Sequence, residues 1–367
     1  MTRENWTARL DHLDQLMAGY VERGEIAGLV TLVSRGDDVR LNVAGAKAIG
    51  GDPMRRDTLF RVASFTKPVT AAAAMILLDD GKLRLDQPVA DLLPELADRK
   101  VLTRPDGPLD DTVPADRAIT LHDLLTFRLG LGYSDNKHLQ QAEHELQLMS
   151  FGPPKPRTPH EPDEWMRRLA RLPLQYQPGE QWLYNTGSQI LGVLVARAAG
   201  QPLEAFLRER LFEPLGMTDT GFTVPPEKLD RLATSYQDGE VFDGVEDSQW
   251  ISPPAFPDGA GGLVSTADDY LAFARMLLRD GQGILSPASV EQMTTNQLLP
   301  GQTSDFLGDA GWGLGLSVAA DRYGWDGGLG TSWYNVPGDD LVAILLTQRA
   351  FGPDTMDVVA DFSSLVS

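Results

Sequence analysis

The sequence predicts an α+β fold: an antiparallel sheet flanked by helices is drawn from the two ends of the chain, and a mainly helical stretch is inserted between them. Three observations carry this expectation. Residues 28–33 and 39–43 are apolar stretches separated by Ser34-Arg35-Gly36-Asp37-Asp38, which is a hairpin signal. Strand-like segments return near the other end, at 313–319 and 341–347. Between them, beyond Leu85-Asp86-Gln87-Pro88-Val89, the pattern is helical and rich in loops.

In chain order, residues 5–23 read as a helix, with Leu10, Leu13, Leu16, Met17 and Tyr20 at helical spacing. The hairpin follows, and Asp57-Thr58-Leu59-Phe60 leads into a second helix whose apolar run, 71–78, is stopped by Gly81. Pro68 lacks an NH and so belongs to that helix's opening turn, which puts Ser64 at its N-terminus. Residues 119–126 read as a capped helix start, and 151–162, with five prolines in twelve residues, as a loop without regular structure. An amphipathic helix is expected over 190–199, closed by Gly200, and another after Ser265 or Thr266, running to Leu278.

A chain of 367 residues is too long for one small core and suits a single large unit with two interleaved subdomains. Its 42% hydrophobic content is ordinary for a folded protein. The net charge of −20 argues against nucleic acid or an anionic membrane as partner. With no cysteine there is no disulfide, thiolate nucleophile or cysteine-based metal site. The first twenty residues contain Asp11, His12 and Asp14 and no apolar core of a secretory signal, and no uncharged run of about 18 apolar residues occurs, so a cytoplasmic location is expected.

Ser64 and Lys67 are three apart at a helix start, which sets the amine beside the hydroxyl. A serine hydroxyl is a weak nucleophile until a base takes its proton, and a buried lysine can be that base. Alone, the spacing also fits a helix N-cap followed by a solvated lysine. The five histidines form no His-Glu-x-x-His spacing, and no metal or cofactor is expected. No serine stands in Gly-x-Ser-x-Gly, so an α/β-hydrolase triad is not indicated. Gly259-Ala260-Gly261-Gly262 is followed by no Lys-Ser/Thr, which excludes a phosphate loop.

The block Phe60-Arg61-Val62-Ala63-Ser64-Phe65-Thr66-Lys67-Pro68-Val69-Thr70 resembles the nucleophile segment of the serine β-lactamase and penicillin-binding-protein superfamily, most of all its class C and family VIII carboxylesterase branch. The resemblance runs from about residue 29 to 346 and includes Leu183-Tyr184-Asn185-Thr186, Pro214-Leu215-Gly216-Met217, Gly259-Ala260-Gly261-Gly262-Leu263 and Tyr323-Gly324-Trp325-Asp326-Gly327-Gly328. It implies an α/β sandwich with an inserted all-α subdomain: residues 1–95 with 260–367 form the sheet-bearing unit, 96–259 the mainly helical one, and the active site lies in the cleft between them. It further implies Ser64 as nucleophile, Lys67 and Tyr184 as proton-transfer partners, and the NH groups of Ser64 and Gly328 as the oxyanion hole. An oxyanion hole suits glycine, because a backbone can approach substrate closely only where side chains are absent.

Tyr133 falls where family VIII esterases tend to place a substrate-facing tyrosine, although a half-buried loop aromatic fits equally. Thr186 occupies the third position of the Tyr-x-Asn motif. Trp325 and Gly327 stand where β-lactamases have Lys-Thr-Gly, and an indole in place of that cation weakens recognition of an anionic acyl donor and suits a neutral ester. The expected function is therefore hydrolysis of a small-molecule carboxylic ester, with an amide also conceivable. A transacylase on the same acyl-enzyme, a β-lactamase or D-amino-peptide hydrolase, and a non-catalytic sensor module remain alternatives, and the sequence does not report an oligomeric state.

Overall fold

Strand Gly28–Arg35 is buried along nearly its whole length, and its side chains divide by alternation between two cores. Val30 and Leu32 join the main core, whereas Leu29 and Val33 join a second cluster on the other face. Strand Leu341–Thr347 divides in the same way, with Val342, Ile344 and Leu346 on one side and Leu341, Ala343 and Leu345 on the other. Continuous apolar sequence in a strand thus marks a sheet covered on both faces. The computed structural model that shows this describes residues 3–148, 158–352 and 355–366. Most of the proline-rich loop expected over 151–162 lies outside the described residues.

Among the described residues the sheet has seven strands, all antiparallel, in the order Asp38–Gly45, Gly28–Arg35, Leu341–Thr347, Thr331–Val336, Tyr323–Gly327, Ser317–Val318 and Gly311–Trp312. Its seam joins the chain's two ends, with Leu29 opposite Thr347 and Arg35 opposite Leu341. Helices Arg3–Glu22 and Met356–Val366 cover one face, where the Tyr20 hydroxyl donates to Asp361 at 2.6 Å. The other face receives helix Ala267–Leu278, capped by the Thr266 side chain, which accepts from the Asp269 NH.

Helix Thr66–Asp79 lies deeper, with every residue from Thr66 to Leu77 buried. A helix apolar all round must be enclosed by protein, and Ala71 to Ala74 let it pack against helix Thr186–Ala199. The latter begins four residues earlier than its apolar pattern predicts and ends at Gly200, which is left-handed with φ 68°. Capped helix Leu121–Leu125 starts at Thr120, whose side chain and that of Asp123 satisfy each other's backbone NH groups.

One expected strand is corrected. Residues 313–319 are not a single strand: Gly311–Trp312 and Ser317–Val318 form a hairpin whose turn is closed by the Gly313 NH donating to Leu316. Gly315 in that turn has φ 86°, and a Cβ there would lie 2.3 Å from the Ala71 Cβ, so alternating Gly-Leu-Gly-Leu mimics a strand while its glycines bring the turn onto the buried helix. Among the described residues no single helix is long and apolar enough to cross a membrane.

Candidate active site

Ser64 stands on a tight turn because the chain reverses hand just before it. Strand Phe60–Arg61 pairs with Val264–Ser265, then Ala63 adopts φ 46° and opens a single 3-10 turn, Ala63–Phe65, that runs into helix Thr66–Asp79. A non-glycine residue at positive φ is strained and persists only where its surroundings hold it. Here the Thr66 hydroxyl donates to the Ala63 carbonyl at 2.7 Å, and the Leu263 NH donates to that same hydroxyl at 3.1 Å. The Thr331 hydroxyl donates to the Val62 carbonyl at 3.2 Å.

One helical turn on, Lys67 is 1% exposed. Its Nζ donates to the Ser64 Oγ at 3.0 Å and to the Ala260 carbonyl at 2.7 Å. Burial disfavours the ammonium form and brings this amine down to about 7, while the Asp258 carboxylate pulls in the opposite direction. At neutral pH the side chain is poised between amine and ammonium, as a general base needs to be.

The Tyr184 hydroxyl donates to the same Ser64 Oγ at 2.8 Å, and its ring lies 4.4 Å from the Lys67 Nζ. Asn185, next in the chain, has φ 84° and ψ −62°, and the Thr186 NH donates back to the Tyr184 carbonyl at 3.2 Å, which makes this a γ-turn of the strained kind. The phenol is held on all sides by rings: Trp182 stacks at 5.7 Å and Phe306 at 4.8 Å, with Phe127 and Tyr133 edge-on at 5.9 and 5.4 Å. The Trp325 Nε1 donates to the Tyr184 hydroxyl at 2.9 Å. Burial pushes the phenol well above its ordinary value, so it stays protonated at neutral pH.

Ser64, Tyr133, Tyr184, Trp325 and Gly328 line one cavity of about 1190 Å³. A Cβ on Gly328 would meet nothing within 4 Å. Gly327 is different, because a Cβ there would lie 2.2 Å from the Thr331 Oγ1 and 2.5 Å from the Val62 carbonyl; this glycine lets the strand press on the turn that carries Ser64 and does not line the cavity. Thr186 is also absent from the cavity wall, being buried as the first residue of its helix, and Asn185 lines the wall in its place. Trp325 lines the cavity and, in addition, binds the Tyr184 hydroxyl, a contact its position in the motif did not announce.

Three further contributors escaped the sequence reading. The Ala260 carbonyl is a main-chain group and has no residue signature. Asp258 lines the cavity and accepts the Ala260 NH at 2.8 Å, a main-chain contact with no sequence signature. Phe306, 60% exposed over Tyr184, comes from a short turn, Asp305–Leu307, that no sequence motif marks. A second cavity, of about 690 Å³ between Ala90 and Ile119, contains none of the residues that surround Ser64.

Comparison with known proteins shows what the chain as a whole is similar to. A family model described as Beta-lactamase matches residues 13–365. Protein Rv1367c of Mycobacterium tuberculosis is 41% identical over 359 residues, spanning 89% of this chain and 87% of its own. Esterase EstB of Burkholderia gladioli is 32% identical over 374 residues, 92% of this chain and 90% of its own. Among solved structures, EstCE1, described as a hydrolase with promiscuous acyltransferase activity, superposes with a TM-score of 0.80 at 26% identity, covering 99% of this chain and 98% of that one.

Proposed function

This chain belongs to the Beta-lactamase family, and from that premise we propose that it is a serine hydrolase that cleaves carboxylic esters through an acyl-enzyme on Ser64. The observation that carries the reading is the double contact on one oxygen: the Ser64 Oγ lies 3.0 Å from an amine and 2.8 Å from a phenol. A relative named as an esterase, similar over nearly the whole chain, supports it.

In this mechanism the Lys67 free base keeps one N–H on the Ala260 carbonyl and turns its lone pair to the Ser64 hydroxyl. Lys67 takes that proton as the Ser64 Oγ attacks the ester carbonyl, and the NH groups of Ser64 and Gly328 receive the oxyanion. Tyr184, kept neutral by burial, cannot compete as the base; it passes its proton to the departing alkoxide and is reprotonated from the Lys67 ammonium. Water then enters along the path of the alcohol and gives up a proton to Lys67, which returns it to the Ser64 Oγ as the acyl bond breaks and the acid is released. Tyr133, Trp325 and Asn185 on the cavity wall are assigned to substrate contact, with Thr186 and Gly327 supporting them from behind. The cavity is taken as the cleft between the unit of residues 1–95 with 260–367 and the unit of 96–259. A cytoplasmic location belongs to the same proposal.

Transfer of the acyl group to an alcohol or amine is the second reading. About 1190 Å³ is at the upper end of, or beyond, what one small ligand fills, which leaves space for an acceptor beside the acyl chain. A β-lactam carboxylate would meet the Trp325 indole where a cation would suit it.

Intact-mass measurement after mixing with a p-nitrophenyl short-chain ester tests the proposal. A transient adduct that vanishes with Ser64→Ala, together with loss of turnover in that variant, is the expected result. Full activity in Ser64→Ala would overturn it, an adduct that never clears would mark a sensor, and product ester formed from an added alcohol would favour transfer.

A further inference from the structure

The turn that presents the Ala260 carbonyl to Lys67 is organised by one carboxylate. The Ala260 NH donates to the Asp258 Oδ1 at 2.8 Å, and the NH groups of Gly261 and Gly262 donate to the Asp258 carbonyl at 3.2 and 3.0 Å. The Gln189 Nε2, from the buried side of helix Thr186–Ala199, donates to the Asp258 Oδ2 at 3.2 Å. The turn is also fastened to the nucleophile helix at two points one helical turn apart, Lys67 on the Ala260 carbonyl and the Thr70 hydroxyl on the Gly259 carbonyl at 2.8 Å. Gly259 lets the turn sit between two helices, because a Cβ there would lie 2.7 Å from the Ser188 carbonyl of helix Thr186–Ala199 and 3.1 Å from the Thr70 Cγ2 of the nucleophile helix.

The reaction needs more from this turn than a fixed carbonyl. When Ser64 gives up its proton, Lys67 becomes an ammonium ion with 1% of its surface exposed. A buried cation is costly unless a negative charge lies near it. The groups around the amine are the Ser64 hydroxyl, the Tyr184 ring, the Ala260 carbonyl and Asp258, and of these only Asp258 can carry that charge at neutral pH. Burial raises the Asp258 carboxyl above its ordinary range, and the Ala260 NH, Lys67 and Gln189 act against that rise, with Tyr133 within reach of its field.

We propose that Asp258 is a positioning residue for Lys67: by accepting the Ala260 NH it fixes the turn whose carbonyl holds the amine, and its carboxylate is the counter-charge that lets that amine accept the Ser64 proton inside a closed site. This rests on the assignment of Ser64 and Lys67 as nucleophile and base. The proton balance is internal, since the Ser64 proton moves to the Lys67 Nζ and the oxygen's electron pair forms the new bond to the acyl carbon.

The test is the pH dependence of Ser64 labelling by a fluorophosphonate, followed by intact mass. That reaction needs nucleophile and base but neither leaving alcohol nor deacylation. Asp258→Asn preserves an acceptor for the Ala260 NH and removes the charge. The rising limb of the labelling rate is expected to move to lower pH by about one unit, and its plateau to fall about three- to tenfold as the base weakens. Asp258→Glu and Asp258→Gln, equal in length and different in charge, give the same comparison should the asparagine variant fold poorly, with the limb of the glutamate variant near that of the unmodified protein. A limb that stays in place in both uncharged variants, even with a slower plateau, would reduce Asp258 to a turn-forming residue and overturn the proposal. Failure of the unmodified protein to label at all would instead count against Ser64 and Lys67.

Discussion

Lowering the pH from about 9 to about 5 should switch off acylation of Ser64 through one group. Burial takes the Lys67 amine from 10.5 to about 7. At pH of about 7 roughly half of it is then free base and at about 6 roughly a tenth, whereas an unshifted lysine would supply only about three parts in ten thousand at neutrality. Desolvation is thereby worth about three orders of magnitude in available base. The assay is kcat/KM for a p-nitrophenyl ester across this range, since that parameter reports ionisation of the free enzyme. The rate should rise tenfold per unit up to about 7 and then level off. Glu143, which burial brings up to about 7, titrates in the same window, so Glu143→Gln must leave the limb where it is. A limb centred above about 9, or one that moves with Glu143→Gln, would refute Lys67 as the base.

Other outcomes follow from the same contacts. Tyr184→Phe should slow turnover by about 10² to 10⁴, whereas Trp325→Phe, which removes one N–H donated to the phenol, should cost only about five- to tenfold; steady-state rates on one ester read both, and an unchanged Tyr184→Phe rate would demote the phenol to packing. Lys67→Met should inactivate the enzyme yet alter stability in a pH-dependent way. The folded amine binds fewer protons than the unfolded one between about 7 and 10.5, so the unmodified protein gains stability as pH rises through that window. From about pH 7 to 9 the gain is about 2 kcal/mol, and urea denaturation should find this increment missing from Lys67→Met.

What the sequence made legible was periodic. Apolar runs at residues 28–33 and 341–347 identified the two strands of the sheet's seam, and a spacing of three put the Lys67 amine on the side of Ser64. What it hid was set by backbone conformation. The Ala260 carbonyl has no side chain to announce it, and the left-handed Ala63 and Asn185 turn the chain at residues that carry no glycine. That second reversal explains why the cavity wall has Asn185 where motif position pointed to Thr186. Alternating glycine and leucine at 313–316 imitated a strand because periodicity alone does not distinguish an extended segment from a turn pressed against a helix.

The seam between strands Gly28–Arg35 and Leu341–Thr347 has a consequence for how the molecule comes into being. Pairings this distant along the chain must overcome loop-closure entropy before their contacts offset it. Strand Tyr323–Gly327, which brings Trp325 to the phenol, reaches the hairpin near the N-terminus only through Thr331–Val336 and Leu341–Thr347. A nascent polypeptide from which strand Leu341–Thr347 has not yet emerged therefore holds Ser64 without a finished pocket around it, and chemistry waits for that strand.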